Sequence, residues 1–277
     1  TAHNYGIFNA TNSSAEITVT GGKITGTTGY AILTRKGKLT LGINDENVST
    51  TIPELVGKNF GIDVSSATEF NFYDGIIKGA TAINGTVTAT PTGYRVVTST
   101  ANGVQSATLS NIYTLTIKHY LENANDNNYS LVSEKTTTQN KEYGTKITLA
   151  DYKTTIPNAT YSYGALEDST SGGTAIASTT MENNTTISLY YSRNKYILTL
   201  NKGNYISEVT GGGQYKVGQS VTINATIATK ETGYINSWVK WTSNNTNLME
   251  DISTQNATIT MPAGNITLTA NGTRTAK

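Results

Sequence analysis

The residues with chemical potential are few and scattered. Seven carboxylates fall early in the chain: Glu16, Asp45, Glu46, Glu54, Asp63, Glu69 and Asp74. A pair of such groups facing one groove could act as the acid and base of glycoside cleavage. The two histidines, His3 and His119, are isolated in sequence and are expected to face solvent rather than to ligate a metal. There is no cysteine, so there is no thiol nucleophile and no disulfide. No G-x-S-x-G elbow occurs. The glycine-rich stretches at 26–29 and 211–213 lack the Lys and Ser/Thr of a phosphate loop. Two loops, NDENVS at 44–49 and NANDNNYS at 123–130, are rich in oxygen donors, but neither has the spacing of a calcium loop, and both read as Asn/Asp turns. No metal, cofactor or catalytic residue is assigned. The remaining chemistry is aromatic. Sugars stack on rings, and Phe70, Phe72, Tyr73 and Tyr94 form a cluster in sequence. Alternation turns Phe70 and Phe72 inward, which leaves Tyr73 and Tyr94 as the candidate ligand-binding residues.

These residues are positioned by strands. Of 277 residues, 36% are hydrophobic and 14% charged, with 26 Gly and 4 Pro. Thr and Asn supply the polarity of strands and turns. The aromatic residues are mostly tyrosine, 17 against 4 Phe and 2 Trp. An all-β chain is expected. The net charge is +1 with no basic stripe, which argues against a nucleic-acid groove. No apolar run reaches the ~18 residues of a membrane span, so no membrane insertion is expected. The opening TAHNYGIFN has neither a basic start nor an apolar stretch, so the chain is expected to be a processed product or part of a longer surface chain, or to act as a monomer.

One pattern occurs twice. AEITVTGGKITG at 15–26 aligns with TEFNFYDGIIKG at 68–79. Each copy alternates like a strand, turns at Gly21-Gly22 or Asp74-Gly75, runs a second strand, and closes at Gly26 or Gly79. KGKLTLG at 36–42 lies between them with Leu39 and Leu41 alternating. Two rungs of roughly 20–25 residues and an outward loop at 43–59 fit the offset. Stacked rungs would place Glu16 and Glu69 in one exposed charge row, two rungs apart and too distant to act together. This segment, 1–111, resembles the right-handed parallel β-helix segments of large bacterial surface proteins. Residues 99–111, STANGVQSATLSN, read as a linker at its end.

From 112 to 194 the chain reads YTLTIKHYLEN, then YGTKITL, then ISLYYSRN. It resembles the mucin-binding and internalin B-repeat modules of Gram-positive surface proteins, which implies a small β-grasp fold. From 195 to 277 the marks are Tyr215-Lys216-Val217-Gly218, Gly233-Tyr234, Trp238 and Thr260-Met261-Pro262-Ala263-Gly264-Asn265. They resemble the divergent internalin B-repeat. Val221, Ile223 and Ala225 alternate, as do Ile259 and Met261 and then Ile266 and Leu268. Trp238 is expected to fill the core, and 262–265 to turn between two strands.

The expected architecture is all-β with β-grasp-like small modules: a short parallel β-solenoid followed by two β-rich repeats, elongated. The resemblances imply an extracellular place, attached to a cell wall through flanking sequence. Three functions stay open. One is a non-enzymatic adhesin or stalk whose partners are host or cell-surface glycans or proteins. Another is a carbohydrate-binding or carbohydrate-degrading head. The third is a filament subunit. The Asn-x-Ser/Thr triplets at Asn9, Asn47, Asn158, Asn224, Asn256 and Asn265 read as strand and turn chemistry. Lys118 and Lys195 are candidates for a Lys–Asn crosslink without a named partner.

Overall fold

The computed structural model describes residues 4–10, 14–45 and 47–277. His3, Glu46 and the Thr11 of the Asn9 triplet lie outside the described residues. The chain divides into two compact units. The first holds Thr1–Thr114 with Asn140–Thr145 and Met181–Asn183, and the second holds Leu115–Gln139, Lys146–Thr180 and Asn184–Lys277. Among the described residues the only helical elements are two 3-10 turns, Ser133–Lys135 and Leu149–Tyr152.

In the first unit, alternation and glycine corners build ten short strands. They are β1 (Tyr5–Asn9), β2 (Glu16–Val19), β3 (Lys23–Gly26), β4 (Tyr30–Thr34), β5 (Lys38–Leu41), β6 (Glu54–Gly57), β7 (Phe60–Asp63), β8 (Glu69–Phe72), β9 (Ile76–Gly79) and β10 (Thr81–Asn84). They pair in parallel as three ladders, β1-β4-β7-β10, β2-β5-β8 and β3-β6-β9. The chain visits the ladders in rotation, so each circuit is one rung of a coil. Rows of like residues fill the interior: Leu39 lies beside Phe70 and Leu41 beside Phe72, all four buried. Phe70 and Phe72 therefore point inward, as their alternation predicts.

The corners explain the repeated glycines. Gly22 and Gly75 have φ of 72° and 102°, a conformation that disfavours any side chain. Gly26 and Gly57 are needed for a different reason. A Cβ at Gly26 would run into the Tyr30 carbonyl, and one at Gly57 into the Phe60 carbonyl. Gly57 belongs to a rung that was expected to be loop. Residues 43–59 are not one outward loop, because Glu54–Gly57 forms β6 between β3 and β9. The true excursion ends before Glu54. The apolar pair Leu55-Val56 of β6 is too short to stand out as a strand without the ladder on either side.

The linker expected at 99–111 is also absent. β11 (Tyr94–Ala101) and β12 (Val104–Glu122) form a hairpin around Asn102-Gly103, whose φ values of 51° and 76° suit a tight turn. β12 then pairs with β9, and Ala107 and Leu109 close the core of the coil. Small residues looked like linker because Ala and Thr side chains are enough where the rung beneath supplies the bulk.

The second part of β12 lies in the second unit. It pairs with β13 (Tyr129–Leu131) and, in parallel, with β18 (Thr185–Arg193), which in turn pairs with β16 (Ala159–Ala165). β14 (Thr137–Glu142) also pairs with β12, and β15 (Lys146–Thr148) pairs with β17 (Ser178–Thr180). The parallel first-to-last pair is compatible with the β-grasp expectation. Leu115 and Ile117 are buried, as alternation predicts. His119 overturns its expectation. It is 3% exposed, and its Nδ1 lies 3.2 Å from the Tyr191 hydroxyl. His119 alternates in step with Leu115 and Ile117 and so shares their buried face, while Thr116 and Lys118 on the other face stay partly exposed.

The remaining strands are β19 (Lys195–Lys202), β20 (Ile206–Thr210), β21 (Gly213–Lys216), β22 (Ser220–Ile227), β23 (Tyr234–Ser243), β24 (Ala257–Thr260) and β25 (Ile266–Ala276). They form two sheets, β21-β19-β25-β23 and β20-β22-β24. Val221, Ile223, Ala225, Ile259, Met261, Ile266 and Leu268 line the core between them. The turn at 262–265 joins strands of different sheets rather than a hairpin. Trp241, not Trp238, fills the centre: it is fully buried, and Trp238 is half-buried and edge-on to it at 5.7 Å. A bulge between Trp238 and Lys240 shifts the register before Trp241, and apolar area, the ground for expecting Trp238 in the core, does not distinguish the two indoles.

Candidate functional site

Asp74 organises the excursion of the coil. The residue is 9% exposed, and its Oδ2 accepts the amide of Ile43 at 3.0 Å while Oδ1 accepts that of Ser49 at 2.6 Å. Gly75 adds a bond from its amide to the Ser49 carbonyl, 2.7 Å. The same Asp-Gly corner that turns the rung therefore fixes both ends of 43–49. Asp45, inside this segment, accepts the Asn47 amide at 2.8 Å, a local Asx turn.

Held in this way, Asn44 and Asp45 border a cleft of about 450 Å³ whose other walls are Pro91, Thr92 and Tyr94. Tyr94 is half-buried and packs on the core of the coil. Its amide donates to the Pro91 carbonyl at 3.1 Å, and Thr90 Oγ1 donates to its carbonyl at 2.9 Å, so the backbone beneath the ring is pinned. The cleft thus offers a ring, a carboxylate, an amide and a hydroxyl, the group types that engage a polyhydroxylated ligand. Tyr73 is half-buried in the corner before Asp74, with its amide on the Leu41 carbonyl at 2.7 Å, and is not among the residues lining this cleft. Of the two tyrosines selected from the sequence, the cleft contains one.

The early carboxylates separate by role. Asp74 is engaged by two backbone amides. Glu54 is held below the usual carboxylate range by hydrogen bonds from Lys78 and Lys23, at 2.8 and 2.9 Å. Glu69 pairs with Lys38 at 2.9 Å, and the register places Lys38 between Glu16 and Glu69. The predicted charge row is an alternating Glu–Lys–Glu ladder. Asp63 accepts the amide and hydroxyl of Ser65, at 3.1 and 2.7 Å.

A larger aromatic cluster escaped the sequence reading. Tyr5, Tyr30 and Phe60 occupy matching positions of β1, β4 and β7 and stack at 5.5 and 5.2 Å, with Phe8 on Tyr5 at 5.1 Å. The signal was present as Tyr5-Gly6-Ile7, Tyr30-Ala31-Ile32 and Phe60-Gly61-Ile62. Tyr5 and Tyr30 are each stacked on both faces, whereas Phe8 at the end of the row is 52% exposed.

In the second unit, Lys118 is ion-paired with Asp168, which also accepts the Tyr120 hydroxyl. These two donors hold the Asp168 carboxyl below its usual range. Lys118, a crosslink candidate, is thus engaged by a carboxylate. Tyr120 stacks on Tyr190, and Tyr190 on Tyr163, at 5.2 and 4.9 Å. Burial pushes the neighbouring Tyr129 hydroxyl up to about 12. Among the described residues no group of three or more His, Asp or Glu side chains is placed to hold a metal ion, and no helix is long and apolar enough to cross a membrane.

Residues 196–275 match the family model of the divergent InlB B-repeat domain. No curated protein and no solved structure matches the chain. The family match falls on the two-sheet module around Trp241.

Proposed function

We propose that the chain is a non-enzymatic part of a Gram-positive surface protein, in which a β-solenoid is displayed on β modules for adhesion. The match of residues 196–275 to a surface-protein repeat carries this reading. The three-ladder coil supports it, because a stack of rungs extends by repetition while each rung packs only on its neighbours. Its place would be extracellular, with attachment through flanking sequence.

Carbohydrate binding by the coil is the second reading, and the Tyr94 cleft favours it. Glycoside cleavage would require two carboxylates across a groove. Among the described residues the cleft wall offers one carboxylate, Asp45, and nearby Asp74 is engaged by backbone amides. Binding therefore fits the site better than hydrolysis. The test is an array of glycans and host extracellular proteins probed with the whole chain, its Tyr94→Ala variant and its Tyr73→Ala variant. Saturable glycan binding lost in Tyr94→Ala and kept in Tyr73→Ala supports the cleft. Binding to a protein that neither variant changes favours adhesion through another surface. Binding to nothing leaves the chain as a spacer.

A further inference from the structure

The oxygen-rich loop at 123–130 has the composition of a cation loop, and the structure shows what it holds. β12 ends at Glu122, and the loop returns the chain to β13 at Tyr129. Its conformation is set by its own side chains. Asp126 Oδ1 accepts the Asn128 amide at 2.7 Å, Ser130 Oγ donates to Asn123 Oδ1 at 2.7 Å, and the Asn123 amide donates to the Asn128 carbonyl at 2.8 Å. Three oxygens converge on one point. Glu122 Oε1, the Asn123 carbonyl and the Asp126 carbonyl lie 2.7, 3.3 and 2.8 Å from the Nζ of Lys216. An ammonium has three N–H donors, and here each has an acceptor.

Lys216 belongs to the next module, at the end of β21. Its side chain is 13% exposed and that of Glu122 15%, so water competes weakly with the pair. Glu122 is held from the other side as well: Arg193 donates from its amide to Oε2 at 3.0 Å and from Nε to the Glu122 carbonyl at 2.6 Å. A further bond crosses between the modules, from the Ser220 amide to Asn125 Oδ1 at 2.8 Å. The connection between β18 and β19 is the single residue Asn194. Its amide donates to Asn158, its carbonyl accepts from Val217, both at 2.9 Å, and its Oδ1 accepts from Thr160 at 3.0 Å.

We propose that the 122–128 loop is a preformed ammonium socket, and that Lys216 seated in it locks the two β modules of this unit into one rigid joint. Adjacent modules otherwise move relative to one another by default. Here a one-residue connection pinned on both sides is combined with a saturated, largely buried cation contact. Pulling or bending would then be transmitted across Asn194 instead of being absorbed there.

The chain has no cysteine, so two introduced cysteines are unique spin-label sites. Thr155 and Thr254 are exposed, one in each module. Pulsed electron–electron double resonance on the Thr155→Cys/Thr254→Cys chain should give one narrow distance distribution. Lys216→Met keeps the aliphatic stem and removes the ammonium, and should broaden that distribution about twofold. An already broad distribution in the parent, or an unchanged width in Lys216→Met, overturns the proposal. Near-ultraviolet circular dichroism checks that Trp241 stays packed. Should Lys216→Met lose that signal, Glu122→Gln becomes the deciding variant: broadening with the signal intact supports the socket, and an unchanged width overturns it.

Discussion

The coiled unit and the Trp241 module are both all-β, and they bury their cores in opposite ways. In the coil, the interior is a set of rows, such as Leu39 beside Phe70 and Ile24 beside Leu55 and Ile77. A residue there packs on the rung above and the rung below. In the module, two sheets close on each other around one indole. The first arrangement shares its stability among many equivalent positions. The second concentrates it. The difference teaches that repetition extends a fold by local packing alone, whereas a small closed module depends on a few large side chains.

The largest expected effect tests that concentration. Trp241→Ala removes a fully buried indole whose Nε1 donates to the Gln255 carbonyl at 3.0 Å. It should cost about 3–5 kcal/mol in chemical denaturation. Trp238→Ala, at the half-buried neighbour, should cost roughly 1–2 kcal/mol. Equal costs would refute the assignment of the core to Trp241 by the bulge. In the coil the expectation is a gradient along a row. Ile77→Ala, at a fully buried site, should cost about 2–5 kcal/mol, and Ile24→Ala, half-buried on the first rung, roughly 1 kcal/mol. A flat row would mean the rungs are not stacked as described.

Asp74→Ala sharpens the comparison locally. It leaves the amides of Ile43 and Ser49 without their acceptor and should cost about 1–3 kcal/mol. Hydrogen exchange of those two amides should accelerate while the ladder amides stay protected. The same variant should weaken any ligand of the Tyr94 cleft, because Asn44 and Asp45 lose their tether.

A pH titration separates the two units. Burial holds the His119 imidazole below its ordinary value, with the nearby Lys135 charge adding to the effect. The neutral ring shares a hydrogen bond with the Tyr191 hydroxyl, which accepts the Thr154 amide at 2.9 Å. The unfolded chain therefore binds the proton more tightly than the folded one. The contribution of this histidine is fully present above about pH 6.5 and declines as pH falls below it. Thermal unfolding of the second unit should shift down between pH 7 and 5, and the His119→Gln chain should lack that slope. The smallest effect is expected on the charge ladder. Hydrogen bonding with Glu69 raises the Lys38 pKa, yet both groups face solvent, so Lys38→Gln should leave unfolding unchanged at physiological salt.

Much of this was legible in the residues. The period of two in Ile17-Val19, Leu39-Leu41 and Phe70-Phe72 gave strands and their inward faces. The glycine corners gave the rungs. The marks around Tyr215 and Thr260 pointed to the module that the family match supports. Tyr94 was found because aromatic residues are conspicuous. Its partners Asn44 and Asp45 were read only as a turn, since nothing in sequence says that a loop fixed by Asp74 ends beside Pro91.

The sequence by itself determined what depends on neighbours along the chain: strand period, glycine turns, all-β composition and the presence of an oxygen-rich loop at 123–130. Tertiary structure alone decided what depends on neighbours in space. It made β6 a rung, because the strands on either side supply its hydrogen bonds. It made 99–111 a capping hairpin, because an open coil end needs apolar cover even from small residues. It buried His119, because the face this residue shares with Leu115 and Ile117 is packed under the rest of the module. It exchanged Trp238 for Trp241, because one bulge resets a register. It also placed Lys216 in the loop, because an ammonium and converging carbonyl oxygens meet only when two modules are packed together.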